Sequence, residues 1–301
     1  MIEYIDRSTG QKEKEVVAGE ASLRWAYETK LGRIAVEMLG KTKAMSCLCG
    51  FIQKRRFTRK KIAPFVEAMK IDMTEAILEK PEEYSDFNDF FVRQLKPGSR
   101  IVNPDPLRLV SPSDGRILVY PSLEADQLIQ VKGKKNSIKS LLGNNELSRY
   151  YSGGSAAVIR LAPCDYHRFH FPVNGVPKEA KLIKGYYYSV NPYALNKTDE
   201  VYSRNKRMMT EIHIAGKEKI VMIEVGATMV GSIVQTYYPH MPVNKGSEKG
   251  YFQFGGSTVI LLTRSNVIEW DRDLIQNTQG GYETLIKMGE AIAFLKKLGC
   301  D

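Results

Sequence analysis

The sequence lacks any window approaching the ~20 uninterrupted apolar residues that a spanning helix needs, which excludes a polytopic membrane protein. Cysteine is scarce, with four in 301 residues. Cys47 and Cys49 form C-x-C with no histidine beside them, and Cys164 and Cys300 stand apart, so neither a zinc site nor a disulfide framework has its spacing. The expectation is reduced thiols in a cytosolic compartment. There is no dinucleotide fingerprint and no P-loop. The first twenty residues, Met1 to Glu20, are polar and mixed in charge and do not read as a secretory signal. Low-complexity stretches and internal repeats are also missing. What remains, 43% apolar and 26% charged, is the balance of a chain that buries a core, as one large domain or two small ones.

Acids are short in one place. The net charge is +10, and the window Ala21–Ile62 holds eleven Lys/Arg against two acids, Glu28 and Glu37, which leaves +9 there. In the same window Tyr27, Leu31, Ile34, Ala35 and Met38 recur at helical spacing, with Lys30, Arg33, Glu37 and Lys41 on the other side. A short apolar piece, Ala44 to Ile52, then runs into Lys54-Arg55-Arg56-Phe57-Thr58-Arg59-Lys60-Lys61. Such a combination suits a surface lying on an anionic membrane. A basic cluster alone fits nucleic acid equally, and a solvated face on a core helix is the plainer reading. The apolar face beside the charge favours the membrane.

Residues 21–80 read as mostly helical, with Pro64 in the first turn of a helix running to about Leu78. After Pro97-Gly98 come strand-length runs at Ile117–Tyr120, Leu128–Val131, Ala157–Leu161, Ile220–Val225, Ser232–Tyr237 and Thr258–Leu262. No strand–helix alternation repeats, which argues against a doubly wound parallel sheet. Leu285, Met288, Ile292 and Leu295, followed by Lys296, Lys297 and Gly299, predict a last amphipathic helix. The expected fold class is α+β: a helical, basic, membrane-associating region over 1–80, then a β-rich mixed core over 81–301 closed by a C-terminal helix.

Three clusters carry possible chemistry. His167 and His170 lie at i, i+3 in Leu161-Ala-Pro-Cys-Asp-Tyr-His-Arg-Phe-His-Phe-Pro172, directly after a strand. Imidazoles there suit acid–base work, and no third ligand of metal-type spacing is near. Ser111-Pro-Ser-Asp114-Gly115 taken alone is an ordinary turn. Lys249-Gly-Tyr-Phe-Gln-Phe-Gly255-Gly256-Ser257-Thr258 taken alone is a bulge or tight turn opening a strand. His213 reads as structural and His240 gives no signal.

Together these clusters resemble the phosphatidylserine decarboxylase proenzymes. The resemblance runs from about Phe87 to Leu262 through six pieces in order: F-F-V-R (90–93), S-P-S-D-G (111–115), L-A-P-x-D-Y-H-R-x-H-x-P (161–172), Y-S-V-N-P (188–192), V-G-A-T-M-V-G-S-I (225–233) and K-G-Y-F-Q-F-G-G-S-T (249–258). Two departures are visible: Gly255-Gly256-Ser257-Thr258 where the family often has L-G-S-T, and Arg204-Asn205-Lys206-Arg207 where it usually has R-N-E-R.

The resemblance implies autocatalytic serinolysis between Gly256 and Ser257, giving a large chain 1–256 and a small chain 257–301. It assigns Ser257 as the nucleophile, His170 as its base and Asp114 as the residue orienting that base, in the manner of a triad. Ser257 becomes a protein-derived pyruvoyl group, with no external cofactor and no metal. The pyruvoyl ketone captures the amine of phosphatidylserine, carbon dioxide leaves, and His167 is the expected proton donor toward phosphatidylethanolamine. A homodimer, and a peripheral position on the cytoplasmic face of a bacterial-type cell membrane without nucleic-acid partners, complete the expectation. The alternatives are a Ser-His-Asp lipid hydrolase that uses the same residues without chain cleavage, and a non-enzymatic binding module built on the basic N-terminus. The hydrolase lacks its G-x-S-x-G elbow, and the module leaves the downstream clusters unexplained.

Overall fold

The structure is a computed structural model describing residues 2–17, 19–123, 128–131, 134–214, 218–227 and 232–296. Cys300, and residues 228–231 of the fifth motif, lie outside the described residues. The strands, numbered along the chain, are β1 (Glu3–Asp6), β2 (Lys12–Lys14), β3 (Arg108–Val110), β4 (Gly115–Tyr120), β5 (Leu128–Val131), β6 (Lys134–Ser137), β7 (Ser155–Leu161), β8 (Arg168–His170), β9 (Val176–Pro177), β10 (Lys181–Ile183), β11 (Arg207–His213), β12 (Lys219–Gly226), β13 (Ile233–Gln235), β14 (Glu248–Phe252), β15 (Ser257–Thr263), β16 (Ile268–Trp270), β17 (Glu283–Ile286) and β18 (Ala291–Leu295). The main sheet runs β10-β11-β12-β15-β7-β4-β17-β1-β2, with β9 paired to β11. Every pairing in it is antiparallel except β1 with β17. Two three-stranded sheets, β13-β14-β8 and β16-β18-β3, complete an α+β fold with the β5-β6 hairpin.

All residues of β7 and β15 are buried, so these central strands are covered on both faces and read as continuous apolar runs rather than alternating ones. That is why Ala157–Leu161 and Thr258–Leu262 were visible in the sequence. β15 lies between β12 and β7 with Ser257 opposite Gly226 on one side and Leu161 on the other. The sequence motif L-A-P-x-D-Y-H and the Gly-Gly-Ser junction therefore meet at one end of the sheet.

Three expectations need correction. The predicted C-terminal helix is a pair of strands, β17 and β18. The 3-4-3 spacing of Leu285, Met288, Ile292 and Leu295 is overridden by tertiary pairing: β17 joins β1 and β4, and β18 joins β3 and β16. Gly289, at φ +90, turns the chain between them, and a Cβ there would stand 2.7 Å from the Ile101 carbonyl oxygen. The helix in this part of the chain is instead Arg272–Gln279. Second, residues 2–14 are not helical; β1 and β2 extend the main sheet. Third, the helix around Pro64 is Ile62–Met69 and stops at Lys70, whose left-handed backbone (φ 52) ends it well short of Leu78.

The helical region starts at α1 (Glu20–Glu28) and α2 (Lys30–Ala35), passes through a π-helical turn at Val36–Gly40, and continues with α3 (Lys43–Gln53), a 3-10 turn at Arg56–Lys61 and α4 (Ile62–Met69). The single amphipathic helix predicted through Tyr27–Met38 is broken at Thr29, which leaves helical geometry and caps α2 by accepting the Gly32 N–H at 3.0 Å. Gly32 permits the turn: a Cβ there would meet the Trp25 carbonyl oxygen at 2.1 Å. Tyr27 faces inward, but Leu31 (73% exposed), Met38 (70%), Phe51 (57%), Trp25 and Ile34 face out. No helix among the described residues is long and apolar enough to cross a membrane.

A second, aromatic cluster joins α4 to α5 (Phe87–Phe91): Ile62, Tyr84, Phe87, Phe90 and Phe91 are buried together, with Phe65 and Phe254 packed against them. Between the main sheet and the small β13-β14-β8 sheet lies a closed polar triangle. Lys249 Nζ donates to Glu224 Oε1 (2.9 Å) and Gln235 Oε1 (2.6 Å), and Gln235 Nε2 donates to Glu224 Oε2 (2.9 Å). The Lys249 and Glu224 side chains are fully buried, and burial pushes the Glu224 carboxyl up and the Lys249 ammonium down. Lys249→Met alone leaves the Glu224 carboxylate without its cation and is expected to cost about 3 to 5 kcal/mol in chemical denaturation, whereas Lys249→Met with Glu224→Leu recovers most of it. Equal losses in the single and double variants would refute the pairing.

Candidate active site

The site assembles where β7 ends and β15 begins. At the end of β7 the chain turns through Ala162–Tyr166 and brings His167 back over the sheet. His167 Nε2 lies 3.0 Å from the Ala162 carbonyl oxygen, and Nδ1 lies 3.1 Å from Ser257 Oγ. A carbonyl only accepts, so Nε2 carries the hydrogen and Nδ1 presents its lone pair to the serine hydroxyl. The imidazole is entirely buried, and burial together with the nearby Arg93 charge pushes its pKa down to about 3. The ring is therefore neutral, in the tautomer that accepts a proton from Ser257.

Its surroundings hold it. Phe91 stacks on the ring at 3.9 Å between centroids and 26° between planes. Arg93 donates to the Cys164 carbonyl (2.9 Å) and the Asp165 carbonyl (3.3 Å), bracing the turn that carries the histidine. This accounts for Phe91 and Arg93 of F-F-V-R. Asp165 accepts the Ala162 N–H at 2.6 Å and forms a short ion pair with Arg116, the residue that follows the S-P-S-D-G motif. The chain of contacts thus runs Arg116, Asp165, Ala162, His167, Ser257.

His170 and Asp114 do not join this chain. His170 Nε2 bonds the Tyr166 hydroxyl (3.1 Å) and Nδ1 bonds the Gly246 carbonyl (2.9 Å), so both ring nitrogens are engaged away from Ser257. Burial lowers the His170 pKa, and the Asp114 charge works against that through space. The Asp114 carboxylate is taken by a forked bond from Arg100 (2.6–3.2 Å) and by the Met288 N–H (2.8 Å). The S-P-S-D-G turn meets His170 through its backbone, the His170 N–H donating to Pro112 at 2.7 Å. The predicted Asp114–His170–Ser257 arrangement is thus not assembled in the uncut chain; the residue beside Ser257 is His167.

The junction is shaped for close contact. Gly255 takes φ +139, a conformation that favours glycine. A Cβ on Gly256 would stand 3.2 Å from Val190 Cγ2. The Phe254 N–H donates to Asn88 Oδ1 (3.0 Å), and its ring meets Phe87 and Phe91 edge-on. Asn205 ties the Y-S-V-N-P segment to the end of β12: its Oδ1 accepts the Tyr188 N–H, and its Nδ2 donates to the Tyr188 and Gly226 carbonyls. At Lys206, where the motif departs from its usual acid, the contacts to this region are made by the backbone, with Lys206 N–H bonded to Tyr186 and its carbonyl accepting Gly226 N–H.

Beside Gly255 and Gly256 opens a cavity of about 580 Å³, largely apolar, lined by Ser22, Leu23, Ala26 and Tyr27 of α1, by Val36 of the π-helical turn, and by Leu161, Ala162, Phe87 and Phe91. Among the described residues no group of three or more His, Cys, Asp or Glu is arranged to hold a metal ion.

The family model described as phosphatidylserine decarboxylase matches residues 87–294. The chain belongs to the phosphatidylserine decarboxylase family. It is 45% identical over 298 residues to the phosphatidylserine decarboxylase proenzyme of Desulfitobacterium hafniense, covering 99% of both chains. Proteins of the same name from Ruminiclostridium cellulolyticum (44% identity, 97% of each chain) and Clostridium botulinum (43%, 98% of this chain and 100% of the other) are similarly close. In a member of this family, Asp165, Arg116 and Arg93 were not recoverable as site residues from the sequence; Asp165 lay in plain view between the strand and the histidines, but only the fold shows that it grips the Ala162 amide.

In Ser257→Ala protein, nitrogen-labelled His167 is expected to show the neutral Nε2–H tautomer unchanged from pH 8 to pH 5. An imidazole titrating near its ordinary 6.5 would overturn the burial argument.

Proposed function

We propose that this chain is a proenzyme that cuts itself between Gly256 and Ser257 and then converts phosphatidylserine to phosphatidylethanolamine and carbon dioxide. The observation that carries the reading is the hydrogen bond from Ser257 Oγ to the lone pair of a neutral, buried His167, one residue from a glycine junction, in a chain of this family.

A serine hydroxyl attacks poorly without a base. His167 Nδ1 takes the Oγ proton as Oγ bonds to the Gly256 carbonyl carbon, and returns it to the Ser257 nitrogen as the C–N bond breaks. The Ala162 carbonyl orients the ring by its bond to Nε2–H, and the Asp165–Arg116 pair fixes Ala162 in turn. Loss of the Ser257 α-proton then expels the Gly256 carboxylate, and water replaces the nitrogen of residue 257, which departs as ammonia. The small chain begins with that residue. The pyruvoyl group fits the residues present: position 257 is fully buried, holds a histidine at 3.1 Å and opens through Gly255 and Gly256 onto an apolar cavity. That group supplies the carbonyl that captures the substrate amine and accepts the electrons released with carbon dioxide. His167 Nδ1, which carries a lone pair at rest, takes a proton from the arriving substrate ammonium and returns it to the substrate α-carbon after carbon dioxide leaves. His170 and Asp114 act as positioning residues, joined through the Pro112 backbone and braced by Arg100. The lipid hydrolase alternative has no observation in its favour.

The outward-facing Trp25, Leu31, Ile34, Met38 and Phe51, with Lys54, Arg55, Arg56 and Lys60 nearby, support a peripheral position on an anionic membrane, on the cytoplasmic face, with α1 and α2 lying between the bilayer and the cavity.

Intact-mass measurement should find two chains in active material, a single chain for Ser257→Ala, and cutting slowed by about a hundredfold or more for His167→Ala. Rapid maturation of His167→Ala with arrest of His170→Ala would return the base to His170. Co-sedimentation with anionic vesicles should weaken as salt rises, and preferential retention on DNA would remove the membrane reading.

A further inference from the structure

The cavity beside Gly256 is apolar except at a few places, and the polar groups there divide into satisfied and unsatisfied. Arg160 and Glu15 are paired with each other (2.7 and 2.9 Å), and Arg160 also holds Glu283 (2.6 and 3.0 Å). Asn191 Oδ1 accepts the Tyr193 N–H, and Ser189 Oγ accepts the Asn191 N–H. Apart from Ser22, which is exposed, two groups are left. Gln53 Oε1 is a buried atom without a hydrogen-bond partner. Lys61 lines the same cavity, and among the described residues it has neither a hydrogen bond nor an ion pair. Lys61 is therefore the uncompensated cation of the cavity.

The backbone that carries these two side chains is held in place. Thr58, fully buried between them in sequence, donates to the Gln53 and Arg55 carbonyls (3.1 and 2.7 Å) and accepts the Phe87 N–H (3.0 Å). Phe87 begins the short helix that carries Phe91 onto His167. The turn holding Gln53 and Lys61 is thus fixed relative to the histidine and to residue 257. A buried acceptor without a donor is costly unless a ligand or water supplies one, and an unpaired ammonium at the mouth of an apolar cavity suits a phosphate oxygen.

We propose that Gln53 and Lys61 form the headgroup end of the substrate cavity: Lys61 Nζ holds the phosphodiester and Gln53 Oε1 accepts from the serine ammonium of the arriving lipid. This deepens the decarboxylase reading and rests on it for the identity of the ligand. The acyl chains then leave past Leu23, Ala26 and Phe65, which line the same cavity, toward the exposed face of α1 and α2.

Binding is tested by equilibrium dialysis on full-length Ser257→Ala protein, so that neither cutting nor decarboxylation is needed. The probes are glycerophosphoserine, glycerophosphate and inorganic phosphate. Lys61→Met should weaken both glycerol compounds about tenfold. Gln53→Met should weaken glycerophosphoserine and leave glycerophosphate unchanged, since only the former carries an ammonium. Lys139→Ala, an exposed cation elsewhere, should change neither. Retention of full affinity by Lys61→Met overturns the assignment, as does inorganic phosphate binding as tightly as glycerophosphoserine, which would mark a free-phosphate site, or no binding of any probe. Carbon dioxide release by the unsubstituted protein is read separately, so a failure of the decarboxylase reading is distinguishable from a failure of the headgroup site.

Discussion

The site depends on one imidazole being kept neutral and in one tautomer. His167 has a carbonyl on one nitrogen and a hydroxyl on the other, an aromatic ring against its face and no exposure to water. Burial removes the charged form, and the Ala162 carbonyl removes the wrong neutral form. In a Ser-His-Asp triad a carboxylate performs the second task and also stabilises the cation that forms. Here a peptide oxygen performs it, and the carboxylate, Asp165, stands one step back, holding the peptide. A carbonyl stabilises an imidazolium less than a carboxylate does, so the neutral ring is favoured.

The remaining architecture serves that arrangement from three directions. Phe91 and Arg93 come from the aromatic cluster before the sheet begins. Arg116 comes from β4, and Ser257 from the neighbourhood of β12 through the Gly226 pairing. Under the proposed cut after Gly256 the start of β15 is freed, yet its pairing with β12 and β7 would keep the two chains one folded unit. The strands β17 and β18 explain why the short segment stays: β17 is locked between β4 and β1, and its Glu283 is bonded to Arg160 on β7.

The N-terminal region has a different logic. Its apolar spacing is helical, but the apolar side chains are turned away from the protein. A face that periodicity alone assigns to a core is left exposed, while Tyr27 and the Glu37–Tyr188 hydrogen bond tie the same helices down to the Y-S-V-N-P segment beside the junction. Helix α1, tied down in this way, also lines the cavity beside the junction.

The family and the strands through Ala157–Leu161 and Thr258–Leu262 were legible from the sequence, because they are local: contiguous motifs in fixed order, and apolar runs that need no partner to be recognised. The charge excess at residues 21–62 was legible for the same reason. Which histidine faces Ser257 was not, because His167 and His170 differ by three residues and only the path of the turn held by Arg93 and Asp165 decides between them. The strand nature of residues 283–286 and 291–295 was hidden because a 3-4-3 apolar spacing has the helical period, which is overridden only when β1, β3, β4 and β16 supply the hydrogen-bonding edges. Chain chemistry pointed to the Gly256–Ser257 bond; long-range pairing, which has no signature in neighbouring residues, put His167 beside Ser257 and built the cavity next to it.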